Sequence, residues 1–289
     1  MQLPMPSLRL HPGRGPRRRL LTVVAVLAVG WGAAGVSAQS PPGQLVPEIG
    51  REGKDVVWVP SPDPLVDTML AIADVSKRDV VMDLGSGDGR MVIAAALLGA
   101  RAIGVEFDPE LVELSRATAA AAGVAERTTF VNADLFETDL SPATVITMFL
   151  LPELNSRLRP RLLELEPGTR IVSNTWDLED WAADATEVLD PCPGFCTALL
   201  WIVPARVAGT WELADGELVL EQQFQMVSGT LRSGSEEVPI ADGRLRGDEL
   251  SFRASGAVYT GRVRGSRLAG EADDGARRFG WHALRVAAQ

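Results

Sequence analysis

The residues with the clearest capacity for chemistry form a glycine-rich segment that begins with an acid. Asp-Leu-Gly-Ser-Gly-Asp-Gly-Arg occupies positions 83–90, at the end of the apolar run Val80–Leu84. Glycines there would let the backbone approach a ligand without a clash from a Cβ atom, and a following helix would present free N–H groups. A tight strand-to-helix connection uses the same residues. This segment, called the glycine loop below, therefore predicts a ligand site only together with further residues.

Two further acids follow the next two predicted strands. Glu106 ends one of them in Gly-Val-Glu-Phe-Asp, and Asp134 follows the other in Asn-Ala-Asp. The carboxyl ends of neighbouring parallel strands form the ligand-binding edge of a doubly wound sheet, so Asp83, Glu106 and Asp134 are expected to meet there. Asp83 could bind ammonium or hydroxyl groups, Glu106 both hydroxyls of a ribose, and Asp134, with a backbone N–H, an adenine edge. Each acid could instead cap a helix, as Asp108 before Pro109 is expected to do, but three caps in these places would be a coincidence.

Strands and helices alternate around these residues. The hydrophobic pattern predicts strands at 80–84, 102–106, 128–132, 143–150 and 169–174, and helices at 87–98, 109–122 and 153–165. Pro160 should kink or split the last helix. Two short strands, 186–189 and 198–203, flank a turn that is too short for a helical crossover and must form an antiparallel hairpin. Helices between strands require a doubly wound α/β layer structure.

In these motifs the sequence resembles the class I S-adenosylmethionine-dependent methyltransferases. The resemblance covers about residues 54–206. It implies a doubly wound, mostly parallel seven-stranded sheet (a Rossmann-like methyltransferase fold) and S-adenosyl-L-methionine as cofactor. The cofactor-binding residues that it implies are Ser61, Asp83, Gly85, Ser86, Gly87, Asp88, Gly89, Glu106, Phe107, Asn132 and Asp134.

A narrower resemblance is to the small protein-lysine methyltransferases related to the enzyme that modifies the ATP synthase c-subunit. It rests on Val-Pro-Ser-Pro at 59–62, on the glycine loop and on Leu-Leu-Pro-Glu-Leu-Asn at 150–155. It implies methyl transfer to a protein side chain, with Pro60–Pro62 closing over the methionine end of the cofactor. A lysine would have to arrive neutral and give its proton to a nearby carboxylate, carbonyl or water. No residue stands out as an obligate acid or base, so the catalytic residues stay unassigned.

Two alternatives compete with this interpretation. A nicotinamide-binding domain also has a glycine turn and an acid about 20 residues later. Its G-x-G-x-x-G spacing would place a third glycine at position 90, where this chain has Arg90. The acid before the loop and the third acidic site also favour methyl transfer. The other alternative is an exported binding protein that keeps the methyltransferase fold without turnover.

Charge and composition exclude several classes of function. The 289 residues have a formal charge of −10, and the first 38 contain five arginines and no acid, so residues 39–289 carry −15. So acidic a body argues against nucleic acid as the main partner. The end of the fourth strand, 147–152, lacks the Asn/Asp-Pro-Pro-aromatic signature of nucleobase methylation, and a protein acceptor is favoured over a small molecule. One histidine beyond residue 38, His282, and two cysteines leave too little material for a metal site.

The N-terminus has the composition of an export signal. Arginines at 17–19, the apolar run Leu20–Val29 and the small residues Val36-Ser37-Ala38 predict a signal peptide, 1–38, followed by a linker, 39–53. The paired arginines also resemble a twin-arginine signal. Leu20–Val36 is diluted by glycines and shorter than the roughly 20 residues of a membrane span. We therefore expect a periplasmic or cell-envelope protein without a stable membrane span, in which Cys192 and Cys196 could pair.

The last part of the chain, 207–289, changes pattern. Short runs of alternating apolar and polar residues, separated by glycine turns, predict an antiparallel β meander or partial barrel. The aromatic residues expected to fill its core are Trp211, Phe224, Phe252 and Trp281. This small antiparallel β domain could bind a partner or cover an edge of the sheet.

Overall fold

The first part of the chain forms a seven-stranded sheet flanked by helices, in a computed structural model that describes residues 49–50, 57–192 and 194–286. The strands are β1 Val80–Leu84, β2 Arg101–Glu106, β3 Thr128–Asn132, β4 Val145–Met148, β5 Arg170–Asn174, β6 Ala185–Val188 and β7 Thr197–Ile202. Their spatial order is β3-β2-β1-β4-β5-β7-β6. The first five run parallel and β7 is antiparallel to both its neighbours, which confirms the predicted fold class and hairpin.

Helices cover both faces of this sheet. They are α1 Asp63–Ile72, α2 Arg90–Leu97, α3 Pro109–Ala121 and α4 Pro152–Leu162, with a short 3₁₀ helix at Ala125–Arg127. Every residue of β1 and β4 is buried, as expected for parallel strands with helices on both sides. Alternation along β1 sends Val81 to the face of α1 and α2, and Met82 and Leu84 to the face of α4. Asp83 shares the face of Val81.

Two local expectations about helices need correction. Helix α2 begins at Arg90 rather than at Gly87, because Gly87 and Gly89 have left-handed φ angles of +53° and +81°. Of the two outcomes expected at Pro160, a kink or a split, the split does not occur, because α4 is one continuous helix. Pro160 lies in its last turn, where its missing N–H removes only one intrahelical hydrogen bond, and the apolar stripe from Leu154 to Leu162 stays buried.

The remaining strands form a closed antiparallel barrel. They are β8 Gly209–Leu213, β9 Gly216–Gln223, β10 Met226–Ser233, β11 Glu236–Pro239, β12 Ala241–Arg246, β13 Glu249–Ala254, β14 Ala257–Arg264, β15 Arg267–Asp273 and β16 Arg278–Arg285. Consecutive strands pair except for β11 and β12, which both pair with β10, and β16 pairs with β8. Because β11 and β12 together fill the position of a single strand beside β10, the nine strands close as an eight-stranded barrel. Trp211, Phe252 and Trp281 fill its core as predicted.

Phe224 does not fill the barrel core, contrary to the prediction. It occupies the turn between β9 and β10 with φ +52°, so strand alternation does not set its direction. Its ring stacks on Trp181 of the first part of the chain, with 5.8 Å between centroids. Beside it, Arg244 pairs with the buried carboxylate of Asp184 at 2.7 Å, and Gln225 donates to a backbone carbonyl at 2.7 Å. The barrel is thus docked on the segment between β5 and β6.

Two predictions concern residues that this structure does not cover. The signal peptide, 1–38, lies outside the described residues, as does most of the linker, 39–53. Among the residues that are described, no helix has the length and apolar character needed to cross a membrane.

Candidate functional site

A cavity of about 300 Å³ lies at the carboxyl ends of β1, β2 and β4. Its walls come from the N-terminal segment 57–61, the glycine loop, the end of β2 and the connection from β4 to α4. It brings together nine of the residues expected at the cofactor, namely Ser61, Asp83, Gly85, Ser86, Gly87, Asp88, Glu106, Phe107 and Asp134. The sheet order therefore gathers side chains that are up to 73 positions apart in the sequence.

The other two expected residues, Gly89 and Asn132, are not among the residues that line the cavity. The side-chain amide of Asn132 donates to the carbonyl oxygens of Glu106 and Phe107, at 3.1 and 2.7 Å, and so fixes the end of β2. A Cβ atom on Gly89 would lie 2.8 Å from Ser115 of α3, so this glycine allows the loop to pack on that helix. Both residues therefore support the elements that line the cavity.

Glu106 links two walls of the cavity. Its Oε2 accepts a hydrogen bond from the Gly87 N–H at 2.8 Å, and its Oε1 accepts one from the Asp108 N–H at 2.9 Å. The carboxylate therefore holds the glycine loop against the end of β2. Each carboxylate oxygen can accept a second hydrogen bond, which leaves the group able to receive the hydroxyls of a ligand.

Asp83 is almost fully buried at the end of β1. Burial raises the pKa of its carboxyl to about 7; a hydrogen bond from Thr147 Oγ1 at 2.7 Å opposes this shift, and the charges of Glu106 and Asp88 add to it. Thr147 is adjacent because the register of β1 and β4 pairs the two residues. Sequence reasoning did not identify Thr147, since the pairing register of parallel strands has no local signal.

The cavity carries an excess of negative charge. Its lining acids are Asp83, Asp88, Glu106, Asp108 and Asp134. Arg90 is the only basic residue among the described residues that line it, and its guanidinium is paired with Asp88 at 2.6 Å and with Asp63 at 3.1 Å. Such a lining favours a cationic ligand. Within the described part of the chain no group of three or more His, Cys, Asp or Glu side chains is placed to hold a metal ion.

The N-terminal segment is anchored over the glycine loop from two directions. Ser61 Oγ accepts a hydrogen bond from the Asn174 amide at 2.9 Å, and the Ser61 carbonyl accepts one from Arg90 at 2.9 Å. The Trp58 ring lies directly on the loop, because a Cβ atom on Gly87 would overlap its indole nitrogen. Trp58, Arg90 and Asn174 were not among the expected site residues. Asn174 could have been suspected as a polar residue that ends an apolar strand.

The two tryptophans that follow β5 have different roles. Trp176 lines the cavity, whereas Trp181 is fully buried and is not one of the lining residues. Phe149, which also lines the cavity, contacts Phe195 in the turn between β6 and β7. Cys192 and Cys196 form a disulfide in this turn.

The part of the chain that forms the cavity is similar in sequence to known proteins. Residues 83–185 match the family described as the ANTKMT methyltransferase domain. A protein-lysine N-methyltransferase of Saccharolobus islandicus is 45% identical over 129 residues, which are 44% of this chain and 80% of that protein. The chain belongs to the class I protein-lysine methyltransferase family.

Two further relatives of this methyltransferase are informative about coverage. The lysine N-methyltransferase of the ATP synthase c-subunit from Xenopus laevis is 34% identical over 128 residues, 44% of this chain and 56% of that protein, so the chain spans little more than half of that relative. An RNA methyltransferase from Salinibacter ruber has a crystal structure in complex with S-adenosyl-L-homocysteine. Its sequence is 49% identical to this chain, and the two structures superpose with a TM-score of 0.49 over 52% of this chain and 96% of the Salinibacter ruber chain.

S-adenosyl-L-methionine is the cofactor of this methyltransferase, and the cavity fits it. The acidic lining suits a ligand that carries sulfonium and ammonium charges. Glu106 keeps acceptor capacity beside the N–H groups of Gly87 and Asp108, which suits the hydroxyls of a ribose. Gly85 and Gly87 let other cavity-lining side chains pack on the loop, because a Cβ atom at Gly87 would overlap Trp58 and one at Gly85 would lie 3.1 Å from Leu150. When bound, the cofactor supplies a methyl group that is already electrophilic.

Gly104→Ala should displace the glycine loop, because Gly104 of β2 packs against the side of the loop that faces away from the cavity. A Cβ atom at Gly104 would lie 2.6 Å from Ser86 Oγ and 2.7 Å from the Phe130 ring. Because Ser86 belongs to the glycine loop, we expect a weaker affinity for S-adenosylhomocysteine in calorimetry, and a free energy of unfolding that is about 1–3 kcal/mol lower. Gly280→Ala is the matched control, since its Cβ would meet nothing nearer than 3.9 Å. Unchanged affinity in Gly104→Ala would contradict the prediction.

Proposed function

We propose that this protein transfers a methyl group from S-adenosylmethionine to the side-chain amine of a protein lysine. The observation that carries the proposal is the 45% identity with a protein-lysine N-methyltransferase, of which the match covers 80%. The charge of the chain adds support. Residues 39–208 contain 26 acidic and 13 basic residues, a charge that attracts a lysine-bearing segment and repels a phosphate backbone.

Within the cavity, we assign each acid a part of the cofactor. Asp83 would meet its ammonium or hydroxyl groups and Glu106 its ribose, while Asp134 would read the adenine edge. Ser61 would close the methionine end, because its segment lies over the glycine loop and is anchored by Arg90. Asp88 orients that anchor through its ion pair with Arg90.

The chain contributes to the reaction mainly by positioning. A lysine nitrogen that has lost its proton attacks the methyl carbon; an N–C bond forms, the C–S bond breaks, and S-adenosylhomocysteine and a proton are released. Holding the nucleophile in line can supply about 7–11 kcal/mol of the barrier. Asp83 lies in the wall as a buried carboxyl hydrogen-bonded to Thr147, which suits a binding role rather than proton transfer at the acceptor.

We further propose that the protein acts after export, in the periplasm or cell envelope, with residues 1–38 as a cleaved signal. The arginine-rich start and apolar run of that segment support this, as does the disulfide between Cys192 and Cys196, because disulfides persist in oxidising compartments. Fractionation of cells that produce the full chain, with N-terminal sequencing of the mature form, tests both points. A cytoplasmic protein that retains residues 1–38 would contradict the proposal.

The decisive test of function is methyl transfer by the chain 39–289. It is incubated with tritiated S-adenosylmethionine and an envelope extract, and the labelled proteins are hydrolysed to identify methyl-lysine. The chain contains only two lysines, Lys54 and Lys77, so self-labelling is simple to subtract with the variant in which both are arginine. Asp83→Asn is the control for transfer that does not depend on the site. Label in RNA, or cofactor binding without any transfer, would overturn the lysine assignment.

A further inference from the structure

We propose that Phe195 determines which side chains the enzyme accepts, and that the disulfide-closed turn between β6 and β7 exists to present it. This inference rests on the proposed lysine methylation and adds a binding surface for the acceptor. With Phe149 and Trp176, Phe195 forms what we call the aromatic wall of the cavity.

The aromatic wall stands on the side of the cavity that the cofactor acids do not occupy. Glu106 ends β2 and Asp134 follows β3, which lie to one side of β1 in the sheet order, while Phe149 follows β4 on the other side. Phe149 and Phe195 contact each other with 5.2 Å between ring centroids and 58° between ring planes. Phe195 remains 44% exposed, so this contact leaves much of its ring available to a further group.

The turn fixes the backbone position of Phe195. Phe195 has a left-handed φ of +54°, which is unfavourable for a residue with a side chain and therefore has to be imposed by its neighbours. The next residue, Cys196, is 3% exposed and is bonded to Cys192, four positions earlier. The Gly194 N–H donates to Cys196 Sγ at 3.3 Å, and the Leu189 N–H donates to the Cys196 carbonyl at 3.0 Å. Phe195 is thus held beside an anchored residue.

Lysine has the chemistry that such a wall recognises. Its four-carbon stem packs on aromatic faces, and its charged form is attracted to them before the proton is lost. The acids that line the rest of the cavity attract the same cation. A nucleobase could stack on aromatic rings too, but the phosphates that accompany it would meet the acidic body of this chain.

Binding is measured by fluorescence anisotropy, so that the test does not depend on turnover. The probe is a pool of fluorescein-labelled octapeptides with one central lysine, added to the mature chain saturated with S-adenosylhomocysteine. A matched pool with central norleucine reports on the charge. The variants are Phe195→Ala, Phe195→Leu, Phe195→Tyr and the double variant Cys192→Ser with Cys196→Ser; calorimetry with S-adenosylhomocysteine monitors the cofactor end of the cavity in each.

Phe195→Ala and the double cysteine variant are expected to weaken lysine-peptide binding about tenfold, while the affinity for S-adenosylhomocysteine stays within about twofold. Phe195→Tyr should retain binding, and Phe195→Leu, which keeps bulk without an aromatic face, should fall between. In turnover the loss should appear in KM and not in kcat.

Two results would overturn the inference. One is lysine-peptide binding that is absent in the wild type or unchanged in Phe195→Ala; the other is a parallel loss of cofactor affinity, which would make Phe195 a wall of the cofactor end. Failure of the proposed function looks different, because peptide would then bind through Phe195 without being methylated.

Discussion

Asp83→Asn is expected to abolish most of the affinity for S-adenosylmethionine and, at the same time, to stabilise the fold above pH 7. Asparagine keeps an oxygen for the hydrogen bond from Thr147 but cannot carry the charge that meets a cationic ligand. Loss of a hydrogen bond between charged groups corresponds to a Kd that rises about 10- to 100-fold. Calorimetry at pH 8 measures this change.

The gain in stability follows from the pKa of Asp83. Burial raises that pKa to about 7, far above the ordinary value of 3.8, so the folded chain keeps its proton to a higher pH than the unfolded chain does. Stability of the wild type therefore falls as the pH rises from about 4 to 7, and the full penalty remains above pH 7. Removing the penalty should raise the free energy of unfolding by about 2–4 kcal/mol at pH 8, with the difference closing toward pH 4.

The same titration makes cofactor binding pH-dependent. Only the ionised form of Asp83 attracts the ligand's positive charge, so the affinity of the wild type should increase between pH 6 and 8, by about tenfold per pH unit at most. Asp83→Asn should lack this dependence. An affinity for S-adenosylmethionine that is flat with pH in the wild type would contradict the role assigned to the carboxylate.

Asp79 immediately precedes β1, at the end of the strand opposite to Asp83, and Asp79→Asn is the matched control for Asp83→Asn. Burial would raise the pKa of Asp79, but hydrogen bonds from Ser76 and Thr144 and the ion pair with Arg170 outweigh that effect, so the pKa lies below its usual value. Replacing Asp79 should therefore change the free energy of unfolding in the opposite direction from replacing Asp83. Asp79→Asn should destabilise the fold at pH 7, with the effect disappearing as the pH falls below about 4, and should leave cofactor affinity unchanged.

Glu106→Gln is expected to reduce cofactor affinity about 10- to 100-fold, although it changes the side chain by one atom. Both carboxylate oxygens accept backbone N–H groups, one from Gly87 and one from Asp108. The amide of glutamine has only one oxygen, so its NH₂ group must face one of these donors. The glycine loop then loses its link to the end of β2, and the ribose loses an acceptor.

Calorimetry with S-adenosylhomocysteine measures the effect of Glu106→Gln, and amide hydrogen exchange at Gly87 reports on the loop. Glu113→Gln is the control, because Glu113 is an exposed residue of α3 whose partner is the exposed Arg116. Faster exchange at Gly87 with unchanged affinity would show that the link is structural only and would contradict the assignment to the ribose.

Much of the fold was predictable because its signals are local. The buried run of β1, the glycine spacing after it and the alternation in the barrel strands are properties of neighbouring residues. Boundaries were less predictable. Helix α2 begins three residues later than expected, because left-handed glycines extend the turn. Closure of the barrel depends on pairing between β8 and β16, about 70 positions apart, which no local pattern encodes.

The features of the site can likewise be divided into those set by local sequence and those set by tertiary structure. By itself the sequence determined the acids at the strand ends, the glycine loop and the acidic character of the body, since residue type and spacing define these features. Only the tertiary structure decided what each acid meets. Thr147 reaches Asp83 across 64 positions and Asn174 reaches Ser61 across 113, through strand order and register. Phe195 precedes β7 but lines the same cavity as Phe149, which follows β4, and their contact depends on the order of the strands in the assembled sheet.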